Sequence, residues 1–194
     1  MKKLIQIVII AIFIFTTHTN IYAQEQETVL SSPDNWQSEI LTFPLGFAQD
    51  IDLVGFEDLR FAPGWSDSTS QEFWAYMFVW YVEKNSAMTE QKLTEYFNSY
   101  YDGLMGINNR DTTKINQLDK TICLFIKTTE GFTGKMRVYD RFFTKDYIIL
   151  NIKIKESFCD NTNKQIILCD ITPKNFNHEV WNIFDDVKIK IKCE

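Results

Sequence analysis

The ten residues Phe73 to Val82, FWAYMFVWYV, contain no charged or amide side chain and no proline or glycine. With alternation absent, the run predicts a strand apolar on both faces, which is either interior to a sheet and covered on both sides or shows one face to a ligand. Whatever else the chain forms must provide those covers.

The flanking patterns are less uniform. Strand signals precede the run at Ile40 to Leu45 and Phe56 to Phe61, the second closed by the turn dipeptide Pro63-Gly64. Thr89 to Met105 changes to helical spacing, with Leu93, Tyr96, Phe97, Tyr100, Tyr101 and Leu104 on one stripe. Thr89 suits the cap, Glu90 the positive end of the dipole and Gly106 the stop. A period of two then returns in Thr121 to Thr128, Lys135 to Phe143, Tyr147 to Phe158 and Gln165 to Ile171. Short turn-rich connections make these four consecutive antiparallel strands. Phe176 to Phe184 reads as a short helix after Pro173, and Val187 to Cys193 as a closing strand. Runs of strands interrupted by helices, without βαβ alternation, predict an α+β fold with a mostly antiparallel sheet packed against two helices. This order resembles the PsbP-type sandwich, a resemblance that implies architecture and leaves function open.

Three aromatic signatures carry a second resemblance. FPLGFA at Phe43 to Ala48, RFAPGW at Arg60 to Trp65 and FWAYMFVWY at Phe73 to Tyr81 resemble an uncharacterised family of exported bacterial proteins. The similarity covers roughly residues 39 to 83; it implies export and a single domain and says nothing about chemistry.

The N-terminus points the same way. Lys2 and Lys3 precede an almost unbroken apolar run from Leu4 to Phe15, and a polar stretch ends in Ala23. That is the layout of a secretory signal peptide, and the run falls short of the roughly 20 apolar residues of a membrane span. No cysteine near Ala23 offers a lipid-anchor acceptor. The expected organisation is a signal at 1–23, a flexible polar arm at 24–38, and one α+β domain over 39–194. At 45% hydrophobic and 15% aromatic residues, that domain has ample material for a core, which excludes a disordered or disulfide-dependent miniprotein.

Without Lys2 and Lys3 the chain carries 18 basic against 26 acidic residues, a net charge of −8. Nucleic acid demands a basic footprint, and both the charge and the expected periplasmic or extracellular location exclude it as a partner. Chemistry is restricted further by what is missing. His18 falls within the signal, leaving His178 as the single histidine of the mature chain, which is too few ring nitrogens for a His-rich zinc site. One histidine could serve as the base of a Cys-His pair, but this one sits in FNHEVW at the start of a short polar-faced helix and reads as a solvated helix-terminal side chain. Phosphate-cradling loops, the GxSxG elbow, EF-hand runs and HExxH are all absent. No catalytic residue, metal or cofactor is expected.

Four cysteines remain, Cys123, Cys159, Cys169 and Cys193, without a CxxC pair. In an oxidising compartment they read as structural bridges or buried thiols, and four cysteines allow three full pairings. Cys159 and Cys169 flank one predicted hairpin and, with residues of like parity opposed, would face each other; this is the favoured candidate bridge.

Two surfaces are candidates for binding. Ile148, Leu150, Ile152 and Ile154 alternate with Asn151, Lys153 and Lys155, and Val187, Ile189 and Ile191 alternate with Lys188, Lys190 and Lys192. Were these strands neighbours, one sheet face would be basic and able to dock an anionic envelope component or protein partner. The plainer reading is a solvated face whose lysines discourage edge pairing. The rings from Trp65 to Tyr81, with Trp65, Trp74 and Trp80 foremost, are either core or a platform for sugar rings. In the second case Glu57, Asp58, Asp67 and Glu72 are the carboxylates of a carbohydrate-active hydrolase. The principal expectation is an exported binding or scaffold protein.

Overall fold

The apolar run becomes an interior strand. A computed structural model provides the structure and describes residues 28–107 and 118–193; the expected signal at 1–23 lies outside the described residues. The chain forms β1 (Leu30–Ser31), β2 (Gln37–Thr42), β3 (Gly55–Phe61), β4 (Tyr76–Glu83), helix α1 (Glu90–Leu104), β5 (Ile122–Thr128), β6 (Gly131–Tyr139), β7 (Tyr147–Cys159) and β8 (Lys164–Thr172). A 3-10 helix at Glu179–Asp186 and β9 (Lys188–Ile189) complete it. Seven strands form one sheet in the order β2-β3-β4-β8-β7-β6-β5, with every neighbouring pair antiparallel. The architecture is α+β, a mostly antiparallel sheet with two helices.

Alternation along β4 decides where each cover goes. Tyr76, Phe78, Trp80 and Val82 face α1, whereas Met77, Val79 and Tyr81 face the opposite side with the 3-10 helix. The α1 stripe works as expected: Leu93, Tyr96, Phe97, Tyr100 and Tyr101 are buried, and Thr89 caps the start by accepting from the Lys92 amide at 3.1 Å. Phe97 lies 5.7 Å from Trp80 and 5.0 Å from Phe125, ring centre to ring centre. Burying each such ring contributes roughly 1.5–3 kcal/mol. On the far side Val180, Trp181 and Phe184 pack over Ala75, Met77 and Val79. The short helix expected at 176–184 is a 3-10 helix three residues later, because His178 Nδ1 accepts from the Val180 amide at 3.1 Å and caps it there.

Several strand ends differ from their expected positions. β4 starts at Tyr76 rather than Phe73 because Trp74 has φ of 54°, and its amide donates to the Trp65 carbonyl at 2.8 Å, turning the chain back into a loop. β6 stops at Tyr139 rather than Phe143, where Asp140 gathers the following amides. The closing strand is two residues long and lies outside the main sheet, paired with β1.

The far face also holds both flanks of the chain. Asp58 and Arg60 are buried and ion-paired. Asp58 Oδ2 accepts from the Val29 and Leu30 amides at 2.8 and 3.0 Å, and the Arg60 guanidinium donates to the Leu30 carbonyl at 2.8 Å. Val29 and Leu30 are thereby only 1% exposed. Of the arm expected at 24–38, residues 28–31 are instead packed into the fold, and β2 already begins at Gln37.

The expected Cys159–Cys169 bridge is corrected. β7 and β8 pair Ile154 with Cys169 and Cys159 with Lys164, so residues of opposite parity are opposed. Cys169 therefore faces α1 while Cys159 faces the far side. The turn dictates this: a three-residue 3-10 segment, Asp160–Thr162, followed by Asn163 at φ of 52°, joins the strands. Cys159 is bonded to Cys193 with Cα atoms 4.8 Å apart, and Cys123 and Cys169 are buried thiols.

Two outcomes are expected from these anchors. Asp58→Ala strands the buried Arg60 charge and should lower the unfolding free energy by about 3–5 kcal/mol in urea titrations, against less than about 1 kcal/mol for an exposed ion pair. Cys193→Ser opens a bridge with a sequence separation of 34 and should cost about 3–4 kcal/mol. Alkylating the unfolded, unreduced wild type should label Cys123 and Cys169 alone by peptide mapping.

Candidate functional site

The end of the sheet near β2 and β3 is not fully roofed by α1. Leu41 of β2, Leu59 and Phe61 of β3, and Tyr76 of β4 form the floor of a cavity of about 670 Å³. Tyr100 and Leu104 close one side, Phe47 another, and Trp65, Trp74, Phe142 and Phe143 the end; Glu39 is the remaining lining residue.

Local chemistry places each wall. Gly103 lets α1 meet the 43–53 loop, since a Cβ there would fall 1.8 Å from the Phe47 carbonyl oxygen. That contact sets the Phe47 ring edge-on to Tyr100 at 5.1 Å. In the loop from 62 to 75, Glu72 accepts from the Gly64 amide at 2.7 Å, and the Trp74 amide reaches Trp65. Trp65 then lies 4.5 Å from Phe61 and 5.2 Å from Phe143, ring centre to ring centre. Between β6 and β7 the buried Asp140 carboxylate accepts from the amides of Phe142, Phe143 and Thr144 at 2.9, 3.1 and 2.8 Å. Burial pushes its pKa upward, but the Thr144 and Phe143 amides and the Thr144 hydroxyl outweigh that and hold the carboxyl below its ordinary range. Asp140 thus stays charged and presents the two phenylalanines to the cavity.

Behind the floor lies a neutral polar layer. Tyr100 donates to Glu57 Oε2 at 3.2 Å, and the Tyr76 and Tyr101 hydroxyls bond to each other. Glu57 is fully buried, and burial pushes its pKa up to about 8, with Trp80 and Tyr100 pulling down and Glu39 pushing up. Its carboxyl is therefore protonated at neutral pH. Burial likewise raises the hydroxyl pKa values of Tyr76, Tyr100 and Tyr101. Glu57 and Trp80 are cross-strand partners, yet Glu57 Oε1 and the Trp80 indole nitrogen close no hydrogen bond with normal geometry. Among the described residues the buried indole nitrogen of Trp65 also has no hydrogen-bond partner, and that of Trp74 has the Asp140 carboxylate near it but closes no bond of normal geometry. The chemistry available is apolar contact, ring stacking and hydrogen-bond donation, with one carboxylate at the boundary.

The residues expected from sequence divide unevenly. Trp65 and Trp74 line the cleft, whereas Trp80 is fully buried beneath α1. Trp74, Tyr76 and Trp80 are 2%, 3% and 0% exposed, so they offer no open platform for a sugar ring. Of the candidate carboxylates, Glu57 and Asp58 point to opposite faces, Asp58 is held by Arg60, and Glu72 is bonded to the Gly64 amide. Asp67 is exposed and bonded to Thr69. This arrangement does not favour the hydrolase alternative.

The lysines do not form one sheet face. Leu150, Ile152 and Ile154 are buried as the alternation requires, with Lys155 exposed. Lys153 is half-buried, its ammonium 4.3 Å from the Trp181 ring centre. Opposite Lys153 sits Asp170, whose pKa burial raises to about 6 while Lys155 and Lys153 pull it back. It adds negative charge to the stripe at neutral pH. Lys188, Lys190 and Lys192 are exposed but belong to β9 and its continuation, outside the sheet that carries Lys153 and Lys155.

Leu41, Phe47, Tyr100, Phe142 and Phe143 escaped the sequence reading as site residues. One local signal was present: Asp140 followed by RFFT has the form of a side-chain-capped turn that turns two adjacent phenylalanines out of a strand. Among the described residues no group of three or more His, Cys, Asp or Glu side chains gathers around a possible metal position. No helix among them is long and apolar enough to cross a membrane.

The state of Glu57 has a measurable sign. Folded, it keeps its proton to about pH 8, while unfolded it releases it near 4.5. The stabilisation is complete below about pH 4.5 and is lost as the pH climbs through 8. Glu57→Gln, neutral throughout, should flatten the loss of stability between those limits by a few kcal/mol in urea titrations; equal slopes for variant and wild type would show Glu57 ionised in the fold.

Comparisons of the chain with family models, curated proteins and solved structures gave no match.

Proposed function

We propose that this is an exported binding protein whose aromatic cleft holds a small, largely apolar molecule. The observation that carries the reading is a cavity of about 670 Å³ walled almost entirely by rings and aliphatic side chains, a volume within the usual range of roughly 300–1,000 Å³ for small-molecule pockets. A closed core would leave no such space at its edge. Phe142 at the wall is 45% exposed, an arrangement that covering by a ligand would improve.

Export is supported by the leader pattern and by the Cys159–Cys193 bridge, which suits an oxidising compartment. A sheet covered by helical structure on each face supports the comparison with the PsbP-type sandwich at the level of architecture. The four carboxylates of the hydrolase alternative are each engaged otherwise, Glu57 neutralised, Asp58 ion-paired, Asp67 exposed in a turn and Glu72 bonded to backbone, which favours holding a ligand over hydrolysing one.

Nile red, a neutral apolar dye, tests the reading directly. The mature protein should bind it saturably at one site, with a blue shift in emission. Leu41→Trp, at a half-buried position on the floor, should fill the cavity and weaken binding at least about tenfold, equivalent to about 1.4 kcal/mol, while the far-UV circular dichroism remains native. Unsaturable dye uptake, or equal affinity in the variant, would remove the cleft as the site.

A further inference from the structure

We infer that the cleft selects molecules that join a positive charge to an apolar body, an amphipathic amine or quaternary ammonium, with Glu39 as counter-charge; this rests on the cleft being the binding site. The selection follows from what the wall contains. Glu39 is the one lining residue with a formal charge; the others are aliphatic or aromatic. It is exposed on β2, an edge strand, and its register opposite Leu59 places it on the cleft side of the sheet. Among the described residues it forms no salt bridge, since the three ion pairs there are Arg60 with Asp58, Lys84 with Asp160 and Arg137 with Asp119. Its carboxylate is therefore available to a ligand.

The rings reinforce the same sign. Phe61, Trp65 and Phe143 lie within 4.5 to 5.2 Å of one another as Phe61–Trp65 and Trp65–Phe143 pairs, and aromatic faces attract cations through their quadrupoles. An anionic head group finds the opposite situation: a carboxylate, ring faces and no lining cation.

The basic side chains nearest in sequence to the lining are otherwise engaged, Arg60 with Asp58 on the far face. Arg141 packs its guanidinium against Gly106, where a Cβ would lie 2.4 Å from Nη1, and the Lys145 ammonium donates to the Arg141 and Phe142 carbonyls. None of the three lines the cavity. A neutral apolar molecule gains the walls alone, so charge ranks ligands that the walls admit equally.

Competition against Nile red with three probes of one chain length, decyltrimethylammonium, decanol and decyl sulfate, each below its aggregation concentration, reads that ranking. The cation should displace the dye about tenfold more tightly than the alcohol, as for a cation meeting rings and one carboxylate, with the sulfate weakest. The gap should narrow as salt is raised. Glu39→Gln should narrow the gap between cation and alcohol to the roughly two- to fivefold that ring faces alone supply, and Glu39→Lys should reverse cation and anion; an unchanged tenfold gap in Glu39→Gln would remove Glu39 as the counter-charge. Equal displacement by all three probes in the wild type, or preference for the sulfate, would overturn the inference while leaving the cleft as a binding site. Failure of Nile red itself to bind saturably would overturn both.

Discussion

A strand without a polar side must be buried twice, and this requirement organises the whole molecule. β4 lies inside the sheet between β3 and β8, and its two sets of side chains need different covers. Toward one side α1 lays five buried residues across Phe78 and Trp80. Toward the other, no second long helix is available among the described residues, and the cover is assembled from a 3-10 helix, residues 28–31 and the segment around Val187. Such short pieces carry too few internal hydrogen bonds to hold themselves in place. The buried Asp58–Arg60 pair and the Cys159–Cys193 bridge do that instead.

The cleft follows from the same geometry. α1 is 15 residues long and ends at Leu104, while the sheet continues past it to β2. At that uncovered end the rings of Trp65, Trp74, Phe142 and Phe143 come from two loops, with Phe47 of a third loop and Tyr100 of α1 at the sides, and loops leave gaps that a close-packed helix–sheet interface does not. Their shape is nevertheless set by specific bonds. Asp140 fixes the 140–144 turn through three amides, and Glu72 with the Trp74–Trp65 backbone bond fixes the other loop. The wall is thus made of preorganised turns, which lowers the entropic cost of receiving a ligand.

Much of this was legible in the residue order, for definable reasons. The run at 73–82 announced a doubly covered strand, and the spacing from Leu93 to Leu104 announced the helix that covers one side, because both depend on periodicity alone. The inward Leu150, Ile152 and Ile154 were legible on the same grounds. What failed depended on distance or on turn detail. Trp74 and Asp140 end strands through their own backbone and side-chain bonds, which hydropathy does not register. The Cys159–Cys169 pairing assumed a turn length that the Asp160–Asn163 connection does not have, and one residue of slip moves a cysteine to the other face. Lys188, Lys190 and Lys192 are exposed, but so is Ile189, which the alternation would turn inward, and their segment joins β1 rather than the main sheet. The cleft needed five separate stretches of chain to converge, and only its Trp65 and Trp74 wall stood out beforehand.

The pairing of β1 with β9 is antiparallel, with Leu30 opposite Ile189 and the Lys190 amide donating to the Val29 carbonyl at 2.8 Å. Residues 29 and 190 therefore sit side by side where the ribbon opens, on the side of the sheet away from the aromatic cavity. Tension applied between those two points would peel the ribbon rung by rung, in zipper rather than shear geometry. The separation would be arrested soon after by the carboxylate–guanidinium latch on one flank and the sulfur crosslink on the other. Mechanical load entering at this corner is thus taken up first on the reverse of the sheet, by Asp58 and Arg60 of the same strand whose Leu59 and Phe61 floor the cavity.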